Sequence, residues 1–208
     1  MWDFYYAQHT ISLATHIALL DAGAKFRAHR LDMATKEHQQ PEYLKVNPKA
    51  RVPALVTENG ILTETPAMLA FVAQSFPKAE LAPLDDPFAF AKLQEFCSYI
   101  ASTLHVNHAH RMRGYRWVDP SNLDAMKAMQ DKVPETMNGS FAYVEEMYLN
   151  GPFVMGDRYS IADPYLFTVT QWGKADGVDF DAIPKVAAHY AMMRERETVK
   201  AARSEQLS

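Results

Sequence analysis

The stretch Val52-Pro53-Ala54-Leu55-Val56-Thr57-Glu58-Asn59-Gly60-Ile61-Leu62-Thr63-Glu64-Thr65-Pro66-Ala67-Met68 decides the fold. Its apolar runs, Val52 to Val56 and Ile61 to Thr63, flank Glu58-Asn59-Gly60, and an Asn-Gly pair between such runs is the strongest short-range hairpin signal. Two antiparallel strands are expected. Thr65-Pro66 then offers an N-cap residue followed by proline at the first helical position, and Met68, Leu69, Val72 and Phe76 continue at helical spacing up to Pro77. A proline directly after Val52, where a strand begins, is a candidate cis peptide, which costs only about 0.5–1 kcal/mol at proline. Such a bond would leave the N–H and C=O of Val52 to pair with an extended peptide, as one more strand.

Towards the N-terminus, Trp2 to Tyr6 reads as an aromatic-rich strand, followed by the polar stretch Ala7-Gln8-His9-Thr10. Leu13, Ile17 and Leu20 recur at helical spacing, and Gly23 sits where a helix stops. Phe26 to Leu31 alternates as a second strand, and Pro41 starts at most a short helix. Strand, helix and strand form a βαβ unit ahead of the hairpin, so residues 1–77 make one α/β domain. The next stretch, 78–87, is rich in proline and acid and reads as a linker; 88–208 read as all-helical, with long helices over Phe88–Trp117 and Leu123–Leu149, the latter kinked at Pro134.

Composition narrows the function. The 208 residues are 48% apolar and 22% charged, which excludes a disordered chain, and a net charge of -4 lacks the basic field that a nucleic-acid partner demands. The single cysteine, Cys97, can form neither an internal disulfide nor a thiolate-rich metal site, and lies in a helical stretch as an inert buried thiol. No basic n-region opens the chain and no apolar run approaches the roughly 18 residues of a membrane span, so a cytoplasmic protein with no membrane partner is expected.

Three motifs now carry a specific resemblance. Asn47-Pro48-Lys49-Ala50-Arg51-Val52-Pro53-Ala54-Leu55 resembles the N-P-x-x-x-V-P-x-L segment of glutathione transferases, and Leu62-Thr63-Glu64-Thr65-Pro66-Ala67-Met68 resembles their L-x-E-S-x-A-I segment. Gly156-Asp157-Arg158-Tyr159-Ser160-Ile161-Ala162-Asp163 resembles the G-x-x-x-S-x-A-D that opens a buried helix in their second domain. Together with Tyr5-Tyr6, Ser12-Leu13 and Leu104-His105, they are nearest to the bacterial beta class. The resemblance implies a thioredoxin-like N-terminal domain, an all-α C-terminal domain, a homodimer, and glutathione as co-substrate for conjugation to a small hydrophobic electrophile. It also implies that Val52 and Pro53 align the peptide, that Glu64 and Thr65 take the γ-glutamyl head group, and that Lys36 or Arg51 lies near the glycyl carboxylate. Ser160 and Asp163 form an S-x-x-D capping box, with the serine oxygen expected on the N–H three residues on; their role is structural.

Conjugation needs the glutathione sulfur as thiolate. A thiol of pKa about 8.5 is only about 3% ionised at neutral pH, and lowering it to roughly 6.5 takes about 2.7 kcal/mol. One hydroxyl hydrogen bond to a charged sulfur supplies about 1.5–3 kcal/mol and a helix N-terminus about 0.3–1, so a single donor at the first helix suffices. The beta-class pattern puts a cysteine just before Ser-Leu, where this chain has Ile11. Ser12 or Thr10 is the favoured donor, and for Ser12 an N-cap role is compatible with it. Tyr6, or Tyr5, would imitate the tyrosine-type classes, and His105 could face the sulfur from the second domain. His9, His108, Arg111, Met112 and Tyr115 are expected along the electrophile pocket, where aromatic, sulfur and arginine side chains suit flat substrates with some negative charge. No metal is expected: His110 is turned about 140° from His105 on an ideal helix, and no acidic residue lies within a turn. Loss of the family cysteine favours one alternative, a non-catalytic binding or regulatory protein on the same scaffold. Isomerase and dehalogenase activities stay open.

Overall fold

The computed structural model describes residues 1–207. Strands β1 (Trp2–Tyr6) and β2 (Phe26–Arg30) run parallel around helix α1 (Ser12–Asp21), with Trp2 opposite Phe26 and Tyr6 opposite Arg30. After the short helix α2 (Pro41–Leu44), β3 (Ala54–Thr57) and β4 (Gly60–Thr63) form the expected hairpin. Strand β3 lies antiparallel to β1, so the four-stranded sheet has the order β2-β1-β3-β4. Gly60, at φ +129°, takes the turn position that a side chain would disfavour. Helix α3 (Thr65–Ser75) closes the α/β unit.

Alternation along β1 sends Trp2, Phe4 and Tyr6 into the core, where Ala14 and Ala18 of α1 and Met68, Leu69 and Val72 of α3 meet them. Every residue from Ser12 to Leu19 is buried, because α1 packs not only on the sheet and α3 but also on two helices of the second domain, α7 (Ala162–Thr170) and α9 (Glu197–Leu207). At its end, Asp21 accepts hydrogen bonds from Tyr159 Oη and, at 2.6 Å, from Thr198 Oγ1.

The stretch read as a linker is fastened at one point. Leu81 is buried, and its carbonyl accepts from the Ile161 N–H at 2.9 Å. Helix α4 (Pro87–Tyr99) then starts under an Asp86 cap, whose Oδ1 accepts from the N–H groups of Phe88 and Ala89 at 2.9 and 3.0 Å.

The long helix expected over Phe88–Trp117 is divided. A π-helical turn over Ile100–Leu104 separates α4 from α5 (His105–Arg113), and a 3-10 turn, Gly114–Arg116, ends it. A π turn inserts a residue into the helical ladder and rotates the face that follows, so one 100° register does not run through it. Ile100 and Leu104, both fully buried, fill the core at the turn, and His105 begins the rotated segment. Helix α6 (Leu123–Met147) continues through Pro134, and α8 (Pro184–Arg194) completes the domain. No helix among the described residues is long and apolar enough to cross a membrane.

The capping box forms with one change. Asp163 Oδ2 accepts from the Ser160 N–H at 2.7 Å as expected, but the serine Oγ lies 3.3 Å from the N–H of Ala162 rather than bonding that of Asp163. Asp163, completely buried, also accepts from the Val154 N–H at 2.9 Å and contacts His189 Nε2 at 3.1 Å.

Candidate functional site

The loop from β1 to α1 turns at His9, which holds φ +57°, and delivers Thr10 to the start of the helix. Thr10 Oγ1 donates to the Ala7 carbonyl at 2.8 Å, accepts from the Ser12 N–H at 3.3 Å and lies 2.8 Å from Ser12 Oγ. Ile11, not serine, occupies the capping position and no side chain caps the helix, so Thr10 fastens the loop just before it. Ser12 is the first helical residue, and its hydroxyl is buried. The tyrosines lie elsewhere: Tyr6 is buried against Phe4 and His16 and donates to the Glu205 carbonyl of α9 at 3.3 Å, while Tyr5 stacks on His29 at 4.7 Å. Burial raises the Tyr6 pKa. Tyr6 is thus engaged by the C-terminal helix.

Across the sheet, the Val52–Pro53 peptide is cis, as its position suggested, and both residues stay outside the β3 ladder, which begins at Ala54 opposite Tyr5. The segment before it is fixed from below: Tyr43 Oη and Asn47 Nδ2 each donate to the Arg51 carbonyl at 2.6 Å. The buried Asn47 of the first motif is therefore a structural clasp. Helix α3 begins at Thr65, one residue earlier than read, so Pro66 is second and Glu64 is the capping position at φ +72°. No side chain caps it. Glu64 is exposed, and its carboxylate is held by the Lys49 ammonium, which also donates to Thr63 Oγ1 at 2.7 Å. Lys49 was not singled out in the sequence, although it stands inside the first motif. Lys36 is exposed in a left-handed turn.

His105 faces this edge from the second domain. Burial, then the positive charges of His108, Arg116 and Arg51, push its pKa down to about 4, while Glu64 acts the other way. At neutral pH it is an uncharged imidazole, not the imidazolium that would stabilise an anion by charge. The Arg116 pKa is lowered by burial and by the charge of Arg51, so an arginine from each domain acts on the other. Arg116 was also missed, because the 3-10 turn that presents it is not visible as an apolar period.

Two residues expected along the electrophile pocket share a buried partner. His108 Nδ1 lies 2.7 Å from Asp176 Oδ2, and Arg111 Nε 2.7 Å from Asp176 Oδ1. Asp176 is completely buried, so the His108 ring and the Arg111 guanidinium are both held by one internal carboxylate that ties α5 to the turn after α7. His108 also stacks on Trp172 at 4.1 Å, and Trp172 touches His105 at 5.2 Å. Met112 and Tyr115 are exposed at the end of α5. His110 packs edge-on against Trp117. Among the described residues, no three His, Cys, Asp or Glu side chains gather as a metal site would need. Burial pushes the Cys97 thiol up to about 12, which leaves it protonated.

Residues 4–74 match the family described as Glutathione S-transferase, N-terminal domain, and residues 87–197 its C-terminal domain. The chain belongs to the glutathione S-transferase family. Among curated relatives, the transferase GstA of Escherichia coli O157:H7 is 31% identical over 202 residues, 96% of either chain. A maleylacetoacetate isomerase of Pseudomonas aeruginosa is 25% identical over 188 residues, 88% of this chain and 86% of its own. Among solved structures, a glutathione transferase homolog from Sulfitobacter with bound glutathione is 44% identical at TM-score 0.94, covering 100% of this chain and 99% of that one. As a glutathione S-transferase, the chain holds Arg51 and Glu64 of its first domain within electrostatic reach of His105 in the second, with Arg116 acting on the same imidazole. It holds Thr10 and Ser12 together at the start of α1. Tyr6, His108 and Arg111 are engaged in the internal contacts described above.

Proposed function

We propose that the protein binds glutathione in the interdomain cleft and transfers its thiolate to small apolar electrophiles, with the thiol activated by a hydroxyl of the β1–α1 loop. The observation that carries this reading is the charge layout at the cis-proline edge. Glutathione brings two carboxylates and one ammonium; the edge offers the Glu64 carboxylate at the start of α3, with Lys49 beside it and Arg51 and Arg116 near His105. Val52 supplies peptide groups outside the β3 ladder, and the first N–H groups of α3 favour the γ-glutamyl carboxylate.

The Ser12 hydroxyl is the donor best suited to the sulfur. Thr10 spends its one proton on the Ala7 carbonyl, so the Ser12 proton is the one that can turn to a thiolate. A hydroxyl bond to a charged sulfur of about 1.5–3 kcal/mol covers most of the roughly 2.7 kcal/mol that ionisation at neutral pH requires. His105 contributes as a neutral N–H donor. In the transfer, the thiolate attacks the electron-poor carbon and the leaving group departs with its electron pair, so the protein's work is to hold the two partners together and keep the sulfur ionised.

A second reading, a glutathione-binding protein without transfer, is favoured by the buried Ser12 hydroxyl, already bonded to Thr10, and by Ile11 where the class carries cysteine. Glutathione titration together with a conjugation assay separates the two. A homodimer in the cytoplasm completes the proposal; the groove of about 620 Å³ between α4 and α6, with Tyr99, Tyr143 and Tyr148 on its walls, is the face offered to a second copy.

A further inference from the structure

His105, His108 and Arg111 recur at every third position of α5, so they form one inclined row along its surface. Two residues of the turn after α7 hold that row. The Trp172 ring stacks on His108 at 4.1 Å and lies 5.2 Å from His105, and the Asp176 carboxylate reaches His108 Nδ1 and Arg111 Nε, each at 2.7 Å. The Asp176 N–H donates to the Trp172 carbonyl at 3.1 Å, so ring and carboxylate belong to one rigid turn. A completely buried carboxylate keeps its partners in place strongly, because losing one leaves an uncompensated charge. Helix α5 needs such a grip. It follows the π turn Ile100–Leu104, whose extra residue gives the next segment a register that an unbroken α-helix would not have. His105 opens that segment, and among the described residues no side-chain hydrogen bond or ion pair holds its ring.

We propose that Asp176 is a positioning residue: by gripping His108 and Arg111 it holds α5 in the register that the π turn creates, and so keeps the His105 imidazole turned towards the first domain. Completely buried, Asp176 acts through the row and not on a ligand. The step from placement to sulfur rests on the transferase reading, in which His105 donates an N–H to the thiolate; the placement itself does not. The charges that act on His105 are those of His108, Arg116, Arg51 and Glu64. Neither Asp176 nor Arg111 is among them, so each reaches the imidazole only through its neighbours. Through the charge of His108 their effects have opposite signs, since removing the carboxylate disfavours the His108 imidazolium and removing the guanidinium favours it. A displaced α5 has one sign only. Either loss then lets water reach His105 and relieves the burial that depresses its pKa.

Histidine titration by NMR, on the whole chain without glutathione, separates displacement from charge. His105 should titrate at about 4 in wild type, and both Asp176→Asn and Arg111→Gln should raise it towards 6.5, by about one unit and about half a unit. Ser160→Ala loosens the start of a different helix and should leave His105 at about 4. Opposite shifts in the two variants show charge alone at work and overturn the proposal. So does an unmoved His105 in folded Asp176→Asn, or an equal rise in Ser160→Ala. Should Asp176→Asn not fold, Arg111→Gln decides: a rise sustains the proposal, and a fall or no change overturns it. The thiolate titration of bound glutathione forms the second arm. Asp176→Asn should raise the thiol pKa by as much as His105→Asn, with the double variant no worse than either, since both remove the same contact. Additive shifts overturn the action through His105. If His105 moves while the bound thiol titrates as in wild type, the role of His105 in transfer fails and its placement by Asp176 stands. If wild type leaves bound glutathione un-ionised, the transferase reading fails and the NMR titration still decides the placement.

Discussion

Thr10 Oγ1 and Ser12 Oγ lie 2.8 Å apart at the start of α1, and the threonine proton is committed to the Ala7 carbonyl. The two hydroxyls therefore have different duties, threonine holding the loop and serine keeping a movable proton. Thr10→Val should cost about 0.5–1.5 kcal/mol of stability in urea unfolding, the range of a lost hydrogen bond, with the helix otherwise intact. An unchanged midpoint would mean that the loop is held by its backbone alone.

The Glu64 carboxylate should bind the ammonium of glutathione in place of, or beside, Lys49. Glu64→Gln is expected to weaken glutathione by about 1.5–3 kcal/mol in a calorimetric titration, because the bond is to a charged group. Lys49→Met should tighten binding by no more than about 1 kcal/mol, since the exposed pair is weak. If Lys49→Met instead weakens binding tenfold, lysine is a ligand contact and the pair a resting arrangement.

Asp163 concentrates stability rather than chemistry. It is completely buried and satisfies the N–H groups of Val154 and Ser160 as well as meeting His189. Asp163→Ala should cost about 3–5 kcal/mol, as expected when one member of a buried polar cluster is removed. Ser160→Ala should cost about 0.5–2 kcal/mol. Equal effects in denaturant unfolding would argue against the cluster.

His105 sets a pH dependence with a definite sign. Its folded pKa of about 4 lies below the ordinary histidine value of 6.5, so between these values the unfolded chain binds more protons. Its contribution to stability is present above about 6.5 and is lost as pH falls towards 4. His105→Asn should flatten the fall in stability over that window, measured by urea unfolding at stepped pH. A variant with the same slope as wild type would assign the titration to other groups.

Exposed Phe88, Tyr143 and Met147 lie on α4 and α6, the helices that flank the larger groove. Sedimentation equilibrium should give about twice 23.6 kDa. A single species of 23.6 kDa at micromolar concentration would contradict the dimer.

Much of the architecture was legible because its signals are local. The Asn59-Gly60 turn, the proline after Val52 and the spacing of Leu13, Ile17 and Leu20 each act within a few residues, and the hairpin, the cis bond and α1 followed. The π turn at Ile100–Leu104 was not, since apolar residues fill such a turn as well as an α-helical one. Partners far apart in the chain were invisible for a different reason. Asp176 stands 68 residues after His108, and Glu205 stands 199 after Tyr6, so no spacing rule pairs them. Of the site, the cis-proline edge was readable from its motifs. The occupation of His108 and Arg111 by one buried carboxylate was not, because it is set by how α5 packs against the turn after α7.

The central claim, that a loop hydroxyl ionises bound glutathione, is tested most directly by thiolate absorbance near 240 nm, titrated with pH, for wild type and Ser12→Ala. The wild-type complex should ionise near pH 6.5, about two units below the free thiol. Ser12→Ala should raise that value by about one to two units, equivalent to about 1.4–2.7 kcal/mol, with a much smaller change in glutathione affinity. Wild-type protein that binds glutathione with the thiol titrating near 8.5, or a Ser12→Ala variant with an unshifted titration, would contradict the account.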